Sequence, residues 1–160
     1  MTMPSRRDAI AMSMDEIRAY LKDQERLILV SNGANGYPHP MPMNFVFDDE
    51  DQYLVTTFRK SQKVLNIERD PRCALLVESG SQYSELKSVL AYADAELVDD
   101  IDTTRKVMLA LAEKEFGRRN EVMTGEFREQ ALSSAPKRVV IRYRASEYIS
   151  WDHTKLGGRY

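Results

Sequence analysis

Between Gly36 and Asp48 the chain runs YPHPMPMNFVF, with Pro38, Pro40 and Pro42 at every second position. The alternation is that of an extended strand over residues 38–47, but proline has no backbone N–H to give to a neighbour. Three prolines on one side leave one edge of the early strand without donors, so this stretch cannot be central in a sheet. The pattern predicts that it lies at a rim or an open seam.

The flanking segments supply more strands. Residues 27–31 form a short apolar one, and Asn32-Gly33-Ala34-Asn35-Gly36 is a turn rich in residues that tolerate positive φ. Asp48-Asp49-Glu50-Asp51 marks an acidic hairpin tip, followed by a strand over 53–58. Further strands are expected at 73–78, at 89–98 with small residues inside it, and at 139–149. Ser13 and Glu16 make a capping box for a helix running to about Asp23, with Met14, Ile17, Tyr20 and Leu21 on one face. Asp102 is placed to cap a helix over 103–116, which Gly117 separates from a second helical stretch over 121–132. Residues 1–12 read as a flexible arm and 79–87 as a polar loop. Six strands arranged as hairpins, with helices only between the third and fourth and between the fifth and sixth, argue against a doubly wound parallel sheet. The pattern predicts a mainly β fold, a six-stranded antiparallel barrel with peripheral helices.

A chain of 160 residues fits a single domain over 1–160. The net charge of −2 gives no overall field favouring nucleic acid, so anion recognition has to be local. No apolar run approaches the roughly 20 residues that span a bilayer, and no signal-peptide core is visible. With Cys73 alone no intrachain disulfide forms, in keeping with a cytoplasmic protein. His39 and His153 have no partners at metal-ligand spacing, so no metal site is expected.

Local anion recognition is suggested by residues 53–72, YLVTTFRKSQKVLNIERDPR. A strand leads through Arg59 and Lys60 to Ser61, a plausible N-cap, and then to a helix with an apolar face of Val64, Leu65 and Ile67. Asp70-Pro71 ends that helix. Backbone N–H groups, a hydroxyl and the cations Arg59, Lys60 and Lys63 are thereby aimed at one small volume, as an anion site at a helix N-terminus requires. An ordinary solvated connection would look the same from sequence.

The order LVTT, FRKSQK, VLNIERDPR, CALLVE resembles the pyridoxamine 5′-phosphate oxidase-like family of flavin-binding split barrels. The segment LILVSNGANGYPHPMPMNFVFDD, the late Ala-Glu-Leu-Val and Trp151 in EYISWD agree with it. The resemblance covers nearly the whole chain; its specificity lies in the order of several weak motifs. It implies a homodimer with FMN in a groove between the subunits, and residues 150–160 near the interface. By position, Thr56 and Thr57 match the strand end beneath the flavin. Ser61, Gln62 and Lys63 match the family's Ser-Arg-Lys phosphate site, with Arg59 and Lys60 upstream to restore the charge that Gln62 lacks. Residues 41–46, Met43 and Asn44 among them, match the strand whose backbone runs along the isoalloxazine ring. Ser88 falls where a glutamine often reaches the cofactor, and Trp151 matches a tryptophan from the other subunit. Trp151 fits equally an interface filler.

Departures narrow the implied activity. The oxidase's arginine and lysine on the flavin strand are replaced by Met41 and Val46. Its C-terminal Arg-x-His has no counterpart; Asp152-His153-Thr154-Lys155 stands there. His153 reads either as a substrate donor or as a surface residue of a mobile tail. The tail WDHTKLGGRY is similar to uncharacterised relatives, some assigned to the 8-hydroxy-5-deazaflavin cofactor. The implied functions are an FMN-dependent oxidoreductase acting on a small molecule, a deazaflavin-dependent reductase, or a non-catalytic flavin or haem binding protein. No catalytic side chain is evident.

Overall fold

A computed structural model describes residues 5–157. Among them seven strands form one antiparallel sheet: β1 (Arg26–Asn32), β2 (Pro38–Asn44), β3 (Val46–Phe47), β4 (Tyr53–Phe58), β5 (Arg72–Ser79), β6 (Lys87–Val98) and β7 (Arg138–Asp152), in the order β2-β1-β5-β6-β7-β4-β3. The two edge strands, β2 and β3, are consecutive in the chain. The expected single strand over 38–47 is split at Phe45, which is fully buried and donates its N–H to Glu25 O at 3.2 Å. On one side of Phe45 the chain pairs with β1 (Asn44 opposite Arg26), on the other with β4 (Val46 opposite Leu54). This change of partner curls the sheet into a half-barrel and raises the strand count to seven.

The prolines lie where their chemistry requires. β2 is an edge strand, and Pro38, Pro40 and Pro42 pair opposite Asn32, Val30 and Ile28. Lacking an N–H, they occupy the positions whose backbone groups face away from β1, while His39, Met41 and Met43 bond to it. The outward edge of β2 therefore offers carbonyl acceptors and no donor at the three proline positions.

The inner face carries the main core, with Leu27, Leu29, Val55, Leu75, Val77, Ile141 and Tyr143 all buried. Helix α2 (Met14–Lys22) covers part of it through Ile17 and Leu21, and its Ser13–Glu16 capping box forms as expected. Helix α3 (Gln62–Arg69) joins β4 to β5. On the outer face α4 (Ile101–Arg118) sets Val107 and Leu111 against Leu54 and Val140, and α5 (Gly125–Leu132) follows.

Several local expectations are corrected. Residues 6–10, expected within a flexible arm, form the helical turn α1 (Arg6–Ile10), closed by a reciprocal Ser5–Asp8 capping box. Met12 beyond it is buried. Asp100, not Asp102, caps α4: β6 ends at Val98, and the helix begins as soon as the ladder stops. Gly117 does not end α4, since an exposed helical glycine costs only about 1 kcal/mol. The stop comes at Asn120, at φ 57°. β7 continues to Asp152, so Trp151 belongs to a strand. Among the described residues no helix is long and apolar enough to cross a membrane.

Candidate functional site

The end of the half-barrel beneath α3 is polar. Side chains alternate along β4, so Tyr53, Val55 and Thr57 point inward, while Leu54 and Thr56 point toward α4. Thr56 and Thr57 thus serve different faces, and only Thr57 joins the groups below α3. Helix α3 buries Val64 and Ile67 against the core, but Leu65 is half exposed. The inward positions between them are Lys63 and Asn66, both buried.

Lys63 is 9% exposed, and its Nζ donates to Thr57 Oγ1 at 3.0 Å. Thr57 Oγ1 lies 3.2 Å from Ser61 Oγ. Ser61 is the N-cap of α3 but makes no side-chain bond to the first turn, so its hydroxyl stays with Thr57. Among the described residues Lys63 has no carboxylate partner. Burial pushes its ammonium below the ordinary lysine value, and the nearby Arg138 charge adds to the effect. Arg138, opposite Phe58 at the start of β7, has no carboxylate partner among the described residues either. Its guanidinium lies over the Phe58 ring, 4.4 Å from the centroid, and Nε donates to Ser134 Oγ at 3.0 Å. Two partly buried cations near one another without a counter-ion are costly in a folded chain.

A second polar row continues inward. Gln62 Nε2 donates to Asn66 Oδ1 at 3.0 Å, and Asn66 Nδ2 to Ser31 Oγ at 3.1 Å. Ser31 pairs with His39 across the β1–β2 ladder, and His39 Nδ1 is buried without a partner. Met43 packs against the core from β2, and Asn44 is exposed at the break before Phe45.

The other expected cations are placed differently. Arg59 is exposed and grips both carboxylate oxygens of Asp99 through its two terminal nitrogens. Lys60 is exposed on the loop. Arg138 and Ser31 carry no local motif, and only the strand pairing brings them to this end, while Asn66 arrives with helix α3.

Ser88 and Trp151 form a separate pair. They face each other across the β6–β7 ladder, and the buried Ser88 hydroxyl donates to Val77 O at 2.8 Å. At about 3.3 Å of rise per residue, Trp151 stands about 40 Å of strand away from Arg138. The expected cofactor residues therefore fall into two groups at opposite ends of β7, together with Met43 and Asn44 at the seam.

The far end is tied by charge pairs. Lys87 Nζ lies 2.8 Å from Asp152 Oδ2, and the Asp152 side chain is 7% exposed. Burial alone would raise the Asp152 carboxyl, but bonds from Lys87 and from Thr154 outweigh it and hold the group below the usual carboxylate value. Lys155 Nζ donates to Ala11 O at 2.8 Å and to Glu16 at 2.9 Å. Among the described residues no group of three or more His, Cys, Asp and Glu side chains is placed to hold a metal ion.

Comparisons with known proteins agree with this architecture. The conserved hypothetical protein Rv2991 of Mycobacterium tuberculosis superposes with a TM-score of 0.85 at 31% identity, covering 98% of this chain and 95% of that one. An F420 reductase (TM-score 0.61, 20% identity, 82% and 94% coverage) shares the fold. So does a FAD-binding protein from Mesorhizobium loti (TM-score 0.64, 17% identity, 88% and 94% coverage). No curated protein matches the sequence. The profile of the pyridoxamine 5′-phosphate oxidase family matches residues 13–152, and with nearly the whole chain inside that match, the protein belongs to the pyridoxamine 5′-phosphate oxidase-like family.

Proposed function

We propose that this protein is a flavin-dependent oxidoreductase acting on a small molecule, working as a homodimer with FMN between the subunits. The observation that carries the reading is Lys63: a buried ammonium with no carboxylate, bonded to Thr57 beside an N-cap serine that does not cap. A phosphate dianion would supply the missing counter-charge. Lys63 Nζ and Arg138 would bear on it by charge-assisted bonds. With Thr57 donating to Ser61, the Ser61 O–H is free to donate to the same anion, as are the first backbone N–H groups of α3. His39 Nδ1 leaves a further polar position open on the inner face. A flavin, once bound, brings hydride transfer with it; the protein's part is to hold the phosphate, orient the ring and exclude water. Trp151, at the other end of β7, suits a contact with the flavin held by the partner subunit rather than by its own.

A deazaflavin reading is favoured by one feature. The family resemblance lays the ring along residues 41–46, next to the donor-free edge at Pro40 and Pro42. A flavin ring nitrogen that accepts a hydrogen bond loses a donor there, whereas the C–H of a deazaflavin needs none.

Purification followed by absorbance and mass identification of any bound chromophore, with add-back of FMN, deazaflavin or haem, tests these readings. Tight uptake of FMN is the expected result. Preference for deazaflavin over FMN selects the second reading. Uptake of neither, or a haem Soret band, overturns both.

A further inference from the structure

We propose that the outer face of the sheet carries a binding site for a small zwitterion, an α-amino acid or a close relative, between β6 and β7. On that face the cross-strand pairs run Val98 opposite Val140, Glu96 opposite Arg142 and Asp94 opposite Arg144. The first pair packs in the cluster under α4. Beyond it the face turns polar, and a cavity of about 370 Å³ opens there, whose lining includes all four of those charged residues with Gln52 and Pro71. The carboxylates stand on β6 and the guanidinium groups on β7, so the cavity has a negative side and a positive side.

Opposite charges that face each other across a ladder attract, and a purely architectural pair closes on itself. Lys87 and Asp152 do so at 2.8 Å. Asp94 and Arg144 are in register but stay apart, and neither makes an ion pair or hydrogen bond elsewhere among the described residues. Arg72, opposite Asp94 on β5, gives its guanidinium to Asp70 at 2.8 Å. Arg142 meets its carboxylates only at long range, Glu96 at 3.4 Å and Asp48 at 3.5 Å, and its Nε is buried without a hydrogen bond. Gln52 supplies the complement. Its Nε2 donates to Glu50 at 2.6 Å, and since a carboxylate only accepts, that bond fixes which end of the amide is Oε1. Gln52 Oε1 is buried without a partner. One cavity wall thus holds an unmet buried donor and an unmet buried acceptor, a costly arrangement unless something fills it.

The occupant has to carry both signs. A simple anion would face Asp94 and Glu96, and a simple cation would face Arg142 and Arg144. Directly opposed side chains leave adjacent strands about 5 Å apart, a spacing that a carboxylate and an ammonium on one carbon can bridge. The carboxylate would lie toward Arg144 and Arg142 Nε, the ammonium toward Asp94 and Gln52 Oε1. A guanidinium offers the carboxylate a planar fork. This inference does not depend on the flavin reading, since Thr57 and Lys63 serve the inner face and the cavity lies on the outer one.

L-Alanine, N-acetyl-L-alanine and L-alaninamide are titrated against the intact, isotope-labelled protein without added cofactor, and binding is read from backbone amide NMR shifts. L-Alanine should give saturable shifts centred on residues 94–96 and 142–144. The acetylated probe lacks the ammonium and the amide lacks the carboxylate, so each should bind about tenfold more weakly, the usual worth of one charge-assisted hydrogen bond. Arg144→Gln should erase the preference over alaninamide, and Asp94→Asn the preference over N-acetyl-L-alanine, each leaving the other preference in place. Both residues are exposed, and the rest of each variant's spectrum reports that it is folded. No saturable shift, shifts centred elsewhere, equal affinity for the three probes, or preferences that survive the two changes would each overturn the proposal and leave the cavity to water. None of these outcomes bears on phosphate recognition at Lys63.

Discussion

Both ends of β7 hold a partly buried lysine, but the two are treated in opposite ways. Lys87, at the far end, is met by Asp152 at 2.8 Å, and Asp152 is further held by the Thr154 N–H and hydroxyl. Lys63, near the strand's start, meets only hydroxyls, with the like charge of Arg138 nearby. A paired charge in a folded chain is an element of structure. One left without its counter-ion is a cost to the fold, which ligand binding can offset. The contrast marks Lys63 as the lysine left for a ligand under the proposed function, and the Lys87–Asp152 pair as an element of structure.

The largest effect should come from removing both unpaired cations. Lys63→Ala with Arg138→Ala should weaken FMN by at least about 100-fold, as expected for two charge-assisted bonds. Riboflavin, which has no phosphate, should lose little. Isothermal titration with both ligands separates the cases, and equal weakening would show that these residues do not read the phosphate. Far-UV circular dichroism should show the double variant folded, because removing an uncompensated buried charge does not create one.

The opposite outcome is expected at the other end. Asp152→Asn strands Lys87 and leaves only a neutral amide oxygen to accept the Thr154 bonds, so it should cost about 2 kcal/mol of stability and leave FMN affinity unchanged. The pH dependence has a definite sign. The folded Asp152 carboxyl lies below its ordinary value of 3.8, so its contribution is present above that pH and fades as pH falls through the folded value. Wild type and Asp152→Asn should therefore converge in stability in acid. Urea melts across that range check this, and a gap that stays constant would remove Asp152 from the account.

The difference between the two ends was only partly legible in the sequence. The edge position of β2 could be read from three prolines, because the missing N–H is a property of the residue itself. Its split at Phe45 could not, because the switch from β1 to β4 depends on two partner strands and a buried ring. Lys63 was visible as part of a basic loop before a helix. Its lack of a counter-ion was not, since that depends on which acidic groups the fold brings near. The same holds for Thr56 and Thr57, adjacent in sequence but assigned to opposite faces by the pleat. Arg138 begins a strand eighty residues downstream in round figures, and only the ladder opposite Phe58 brings it to the site.

Arg59 sharpens the comparison most finely, since it lies only four positions before Lys63 and bears the same charge. Sequence alone makes the two equivalent candidates for a phosphate. In the fold Arg59 is turned to Asp99, 40 residues away in the chain, with both terminal nitrogens on the carboxylate. To reach a phosphate at Thr57 it would have to give up that partner, so its net contribution to affinity is small. The pair is exposed, and exposed pairs contribute little. Arg59→Ala should therefore change FMN affinity by less than about threefold, against the large loss at Lys63. Asp99→Ala supplies the converse. Freed of its carboxylate, Arg59 gains the chance to turn toward the anion, and FMN affinity should hold or rise slightly. A loss at Arg59→Ala as large as at Lys63→Ala would mean that the guanidinium leaves Asp99 when the cofactor binds, and that an ion pair in the free protein does not exclude a residue from the phosphate site.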